Sequence, residues 1–147
     1  MVFIEDTGGI YDAPLDLVWK LGEAHTKEGN KIHPNTRNNR TEMLNENTFL
    51  SSWEEEDRNG QVIKIKLKGT IYYPVGIALE ILDGTFSGSK FFSYYMPKDN
   101  NNRTAVTVVG DFKSPTISDN EQLKSAVLSF LDKAFNEDVA YLKKMQS

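Results

Sequence analysis

The clearest pattern in the chain is an alternation of apolar and charged residues between positions 61 and 73. Ile63, Ile65 and Leu67 are each followed by a lysine. A period of two places one set of side chains on a buried face and the other in water, whereas a helix would scatter the lysines around its circumference. The pattern therefore predicts a half-buried β-strand whose three apolar residues point inward.

Similar but weaker patterns predict further strands, separated by short polar turns. Asn59-Gly60 is a typical hairpin turn, and Asp83-Gly84 marks another. Connections this short make neighbouring strands antiparallel. The segment 35–47 is interpreted as irregular or as a poor edge strand. The predicted strands cover 2–7, 48–56, 61–73, 75–82, 89–96 and 103–112.

Helical patterns lie outside this run of strands. Asp12 is a candidate N-cap for a short helix that begins near Pro14 and ends at 21–22, and a second short helix is predicted near 23–28. Apolar residues at the helical period from about 120 to 144 predict a long amphipathic helix, capped by one of residues 118–120. Helices segregated from an antiparallel sheet indicate an α+β fold. No linker divides the chain, so one domain is expected over 1–147.

Local motifs then resemble those of a known superfamily. They are the segment 13–19, with Ala-Pro followed by Val-Trp, the turn at 82–89, and Tyr95-Met96-Pro97 followed after a polar loop by 104–107. Their order, with the terminal helix, resembles the START-like and birch-pollen-allergen-like (Bet v 1-like, SRPBCC) superfamily, which includes polyketide cyclases and carbon-monoxide-dehydrogenase G-type proteins. The resemblance spans nearly the whole chain. It implies a helix-grip fold, in which a curved antiparallel sheet wraps around a long C-terminal helix, with two short helices after the first strand.

The resemblance also implies a ligand cavity between the concave face of the sheet and the long helix. Strand alternation nominates the residues that line it. They are Phe49, Ser51, Trp53, Ile63, Ile65, Leu67, Ile77, Leu79, Phe91, Ser93, Tyr95, Val106, Val108, Val127 and Phe130. The same phase puts Phe92, Tyr94 and Met96 on the outer face, where an aromatic row is a candidate homodimer surface. Strand 89–96 is apolar on both sides, so the sequence leaves its phase open.

Composition excludes several classes of chemistry. The chain contains no cysteine, which excludes thiol catalysis and iron–sulfur ligation. A net charge of -4 argues against a nucleic-acid partner. No apolar run approaches the roughly 20 residues of a membrane span. The first six residues lack the basic start of a secretory signal. We therefore expect a cytoplasmic protein without a transmembrane segment.

Few residues offer chemistry. His25 and His33 are the two histidines of the chain and are interpreted as solvated surface residues. Without cysteine or a His-x-x-x-His pair, no zinc site is predicted. No metal, cofactor or catalytic residue is therefore assigned. An enzyme would need a histidine, Glu55 or Asp111 to point into the cavity.

The function predicted from these features is the binding of a small hydrophobic or amphipathic ligand, such as a lipid, an isoprenoid or an aromatic compound. Two alternatives stay open. One is a polyketide-cyclase-like or dehydratase-like enzyme that uses the same cavity. The other is a non-catalytic complex subunit with a filled core.

Overall fold

The computed structural model describes residues 1–57 and 59–147. The predicted turn at 57–60 includes Arg58, which lies outside the described residues. The elements in chain order are β1 Val2–Tyr11, α1 Leu15–Ile32, β2 Thr36–Met43, β3 Thr48–Glu56, β4 Val62–Tyr72, β5 Gly76–Asp83, β6 Lys90–Lys98, β7 Arg103–Phe112 and α2 Asn120–Gln146.

The strands form one antiparallel sheet of seven strands in the order β1-β7-β6-β5-β4-β3-β2. Strands β2 to β6 each pair with the next strand in the chain, as short connections dictate. Strand β1 then lies beside β7, with Val2 opposite Phe112 and Tyr11 opposite Thr104. The sheet is followed by the long helix α2, so the predicted α+β helix-grip fold is confirmed.

Two strands are longer than predicted, and the ambiguous segment is ordered. Strand β1 continues past Gly8-Gly9 to Tyr11, with a register shift between Asp6 and Gly9. A side chain at Gly9 would come within 2.8 Å of Val106 Cγ1, so glycine is what allows this close approach. Strand β6 runs on to Lys98. The segment interpreted as irregular or a poor edge strand contains β2, at the edge of the sheet.

The prediction of two short helices after β1 is wrong. A single helix, α1, covers 18 residues, with non-helical angles at Glu28 (φ -122°, ψ 20°) near its end. The helix does not end at Gly22, where the sequence predicts its end. Instead Leu21 before it and Ile32 beyond it are buried in the same apolar cluster as Leu142 of α2. Burial of the apolar residues on both sides of Gly22 outweighs the helix-weakening effect of a glycine, about 1 kcal/mol.

The helix N-termini also differ from one another. The N-cap position of α1 is occupied by Pro14, whose side chain makes no capping hydrogen bond. The prediction that Asp12 caps this helix is therefore wrong. The free backbone N–H of Leu15 donates instead to Asn101 Oδ1 at 3.1 Å, from the turn between β6 and β7. At α2, Asp119 is the cap, and its Oδ2 accepts from the N–H of Gln122 at 2.9 Å.

Two apolar clusters hold α2 against the sheet. One joins the C-terminal part of α2 to α1 and the end of β1, around Leu142 and Tyr11. The other joins its N-terminal part to β1 and β7, around Val127, Ile4 and Phe112. The long helix is therefore anchored over the β1–β7 side of the sheet, which leaves the β3–β5 side less tightly packed.

Candidate functional site

The inner face of the sheet is defined by the strand register. Trp53 lies opposite Ile65, Ile77 opposite Ser93, and Ser93 opposite Val108. Directly opposed residues point to the same face of a sheet. Val108 packs against the buried cluster of α2, so this face is the one turned towards the helix. All the strand residues nominated from the sequence share it.

The inner face is packed to different degrees along the sheet. The nominated residues that pack against the two apolar clusters are Phe91, Tyr95, Val106, Val108 and Phe130. All the nominated residues except Val127 are partly exposed, although most are apolar. Val127 itself is fully buried beside Phe112 and Leu123, so it belongs to the core. The nominated residues on β3, β4 and β5 lie outside these clusters, and their partly exposed apolar surface is available to a ligand.

A cleft of about 270 Å³ lies between this face and α2. Apolar atoms form most of its surface, and its polar side chains are two hydroxyl residues, one acid and one lysine. Its walls are formed by Glu55, Ile65, Thr85, Phe86, Ala126, Ser129, Phe130 and Lys133. Of the residues nominated from the sequence, Ile65 and Phe130 line this opening directly. Its volume is close to the lower end of the range of about 300–1,000 Å³ for small-molecule sites.

A second depression, of about 430 Å³, lies on the outer face of the sheet. It includes Lys68, Glu80 and Lys90, which stand side by side on β4, β5 and β6. Small side chains at Thr70 and Ala78 leave this hollow beside the charged row. The inner cleft is the better ligand site although it is smaller, because its walls are more apolar and α2 covers it.

The outer face also carries an aromatic row. Phe92 lies opposite Ala78 and Val109, which sets the phase of β6 and places Phe91 on the inner face. The Phe92 ring lies 6.1 Å from that of Tyr72 and 5.2 Å from that of Tyr94. A homodimer through this row stays a prediction.

The two acids considered from the sequence have different surroundings. Glu55 lies on the inner face and lines the cleft, and its Oε2 accepts a hydrogen bond from Trp53 Nε1 at 3.2 Å. Asp111 lies on the outer face, opposite Lys90, with Lys113 Nζ at 4.0 Å. Only Glu55 of these two is positioned to meet a ligand in the cleft.

The histidines lie elsewhere, and their interpretation as solvated surface residues is wrong. His25 and His33 project from α1 and from the residue after it towards Asp138 on α2. His25 Nε2 lies 3.1 Å from Asp138 Oδ1 and 3.1 Å from His33 Nε2. His33 Nε2 lies 3.4 Å from the same carboxylate oxygen, and His33 Nδ1 lies 3.0 Å from Glu137 Oε1.

Electrostatics in this cluster follow from burial and from the close charges. Burial alone would raise the pKa of Asp138, but the hydrogen bonds and charges of the two histidines bring this pKa below its ordinary value. Burial acts to lower the pKa of His33, but the bonds to Asp138 and Glu137 outweigh it and raise the pKa. Burial and the charge of Asp138 raise the pKa of the Tyr11 and Tyr95 hydroxyls, so both stay protonated at neutral pH.

Sequence spacing could not show this cluster, because 113 positions separate His25 from Asp138. One signal was nevertheless present. Asp138 falls on the apolar face of α2, between Phe135 and Leu142. A carboxylate there needs partners that hold its charge, and the cluster supplies them.

Comparison with solved structures supports the fold. The Zhui aromatase/cyclase from a Streptomyces species superposes with a TM-score of 0.78 at 17% identity, over 99% of this chain and 96% of that one. Ara h 8.0201 gives 0.76 at 12%, over 97% and 98%. A START superfamily protein from Mycobacterium smegmatis gives 0.68 at 12%, over 97% and 98%. The predicted resemblance in fold to START-like and birch-pollen-allergen-like domains is therefore confirmed.

The sequence comparisons add nothing to this. No protein-family model matches the chain, and no curated protein matches it. At identities this low, likeness to solved structures concerns the fold alone. Among the described residues, neither helix has the length and apolar character needed to cross a membrane.

Proposed function

We propose that this protein binds a small hydrophobic or amphipathic molecule in the cleft between the inner face of the sheet and α2. The observation that carries the proposal is the partly exposed apolar inner face from Phe49 on β3 to Leu79 on β5, beside a helix that the two apolar clusters anchor over β1 and β7. A ligand that covers this face removes apolar surface from water, which contributes about 25 cal/mol of favourable free energy per Å².

The polar groups around the cleft favour an amphipathic ligand. Glu55 and Lys133 stand among its apolar walls, and Ser51 and Ser93 are placed along the inner face. A few polar groups in an apolar pocket usually orient the ligand and set its specificity. A lipid, an isoprenoid and an aromatic compound all fit this description. One of the structural neighbours is an aromatase/cyclase, which is in keeping with an aromatic ligand.

The proposal is tested with the fluorescent probe anilinonaphthalene sulfonate (ANS) and two neighbouring variants on β4. Leu67→Glu places a carboxylate on the inner face, and Lys68→Glu places the same side chain on the outer face, in the outer depression. We expect saturable ANS fluorescence with the native chain, a loss of affinity of about tenfold or more in Leu67→Glu, and little change in Lys68→Glu.

Circular dichroism of both variants verifies that they are folded. The proposal fails if the native chain does not bind ANS saturably, or if Leu67→Glu binds as tightly as the native chain. Loss of binding in Lys68→Glu alone would move the site to the outer depression.

Catalysis in the same cleft is a second candidate, of the polyketide-cyclase-like or dehydratase-like kind. The observation that favours it is Glu55, a carboxylate among apolar walls and held by the Trp53 indole. Positioning in a cleft accelerates cyclisation by itself, and an acid there adds proton transfer.

A further inference from the structure

A second candidate site is formed by residues in or directly after α1 and in α2 that do not line the cleft. We propose that His25, His33 and Asp138 together bind a divalent transition-metal ion of the Zn²⁺ type. Their ligand atoms all lie within 4.8 Å of one another. The three separations are 3.1, 3.1 and 3.4 Å. Tetrahedral ligands at about 2.0–2.1 Å from zinc stand about 3.3–3.4 Å apart, so little adjustment is needed.

The hydrogen bond made by Nδ1 of each imidazole determines whether Nε2 of the same ring carries a hydrogen or a lone pair. His25 Nδ1 lies 2.8 Å from the carbonyl oxygen of Leu21, and a carbonyl only accepts, so Nδ1 carries a hydrogen. His33 Nδ1 lies 3.0 Å from a carboxylate oxygen of Glu137, and the same reasoning applies. In the neutral form of both rings, each Nε2 therefore presents a lone pair.

The two Nε2 atoms lie 3.1 Å apart, and each lies within 3.4 Å of Asp138 Oδ1. Three acceptors meeting at 3.1–3.4 Å repel one another unless positive charge lies between them. If one imidazole Nε2 carries a proton, that N–H makes a good hydrogen bond to one of the other two atoms. The remaining atom then has no hydrogen-bond donor. A metal ion accepts electron pairs from all three at once.

The outer contacts match those of known metal sites. Metal-binding histidines almost always donate their other N–H to a carbonyl or a carboxylate, which fixes the tautomer and the ring orientation. Leu21 and Glu137 supply one of each. Tyr11 supports the third ligand, since its hydroxyl lies 3.4 Å from Asp138 Oδ2.

The donor set and its charge select the type of ion. Two imidazole nitrogens and one carboxylate oxygen suit zinc and its neighbours better than Ca²⁺ or Mg²⁺, which prefer oxygen alone. Asp138 and Glu137 bring negative charge that a divalent ion offsets. The ligand side chains keep 34%, 22% and 18% of their surface exposed, so an ion can enter from solvent. Bound there, it joins α1 to α2 and leaves a fourth position for water.

The test is calorimetric titration of Zn²⁺ into the full chain after treatment with EDTA. Asp138→Asn removes the carboxylate ligand, and Asp132→Asn makes the same change at an exposed position on the same helix. We expect one ion per native chain, the same affinity in Asp132→Asn, and a loss of tenfold or more in Asp138→Asn. Co²⁺ in place of Zn²⁺ should give the visible absorption of a low-coordinate nitrogen–oxygen site in the native chain.

Circular dichroism in EDTA shows whether each variant is folded. If Asp138→Asn does not fold, His25→Gln takes its place, because His25 is the most exposed of the three ligands. Absence of saturable Zn²⁺ binding by the native chain would overturn the proposal, as would equal binding by all variants. ANS binding reports on the cleft and is independent of this result.

Discussion

Replacing Val127 with aspartate is expected to reduce the free energy of unfolding by about 4 kcal/mol or more, close to the whole stability of a small domain. Val127 has no exposed surface and packs with Ile4, Phe112 and Leu123 between α2 and the β1–β7 side of the sheet. An aspartate there would be buried charged without a partner, or protonated with its polar atoms unmatched. Urea denaturation followed by circular dichroism measures the loss.

The matched control is Ser125→Asp, which introduces the same side chain two residues earlier on the exposed surface of α2. Its effect on stability should stay within about 0.5 kcal/mol, as for most surface substitutions. Equal losses in the two variants would mean that α2 does not pack on the sheet through Val127.

The second large expected effect is a difference in the free energy of unfolding between a core variant and a variant of the inner face. Leu123→Ala should reduce the free energy of unfolding by about 3–5 kcal/mol, because Leu123 is 1% exposed and its removal leaves a cavity. Leu67→Ala removes the same atoms from the inner face on β4, where the side chain is already partly exposed. We expect a loss of about 1 kcal/mol or less there, since little packing is given up.

Denaturant unfolding of the two leucine variants measures this difference, and far-UV spectra confirm that both start from the native fold. Leu67 is one of the residues nominated to line the cleft. If Leu67→Ala costs as much as Leu123→Ala, the inner face is packed like the core, and the chain has no room for a ligand beside it.

Much of the sheet could be predicted because its information is local. The alternation of Ile63, Ile65 and Leu67 with lysines specifies both a strand and the face that it buries. Asp119 could be recognised as a candidate cap from its place before an amphipathic run. Such signals depend on neighbours a few residues away, and the structure follows them.

The features that were missed depend on contacts distant in the chain. Gly22 locally favours the end of a helix. Helix α1 nevertheless continues, because Ile32 is buried in the same cluster as Leu142. Asn101 caps α1 from 86 residues away, where no local rule could place it. The meeting of His25 and His33 with Asp138 likewise depends on how α1 docks on α2, which tertiary packing decides.

The size of the cleft is a third feature that residue patterns do not give. Alternation shows which side chains face inward, but not how far α2 stands from them. That distance follows from the two clusters that anchor the helix around Leu142 and Val127. It decides whether Ile65 and Phe130 touch each other or leave space between them.

The most direct test of ligand binding in the cleft is a methyl NMR titration of the full chain with ANS. The methyl groups of Ile65, Leu67 and Ile77 report on the inner face, and those of Leu50 and Val109 report on the outer face. We predict saturable shifts at the first three methyl groups, with Leu50 and Val109 unchanged. Shifts confined to Leu50 and Val109, or no saturable shift at all, would contradict a ligand site between the sheet and α2.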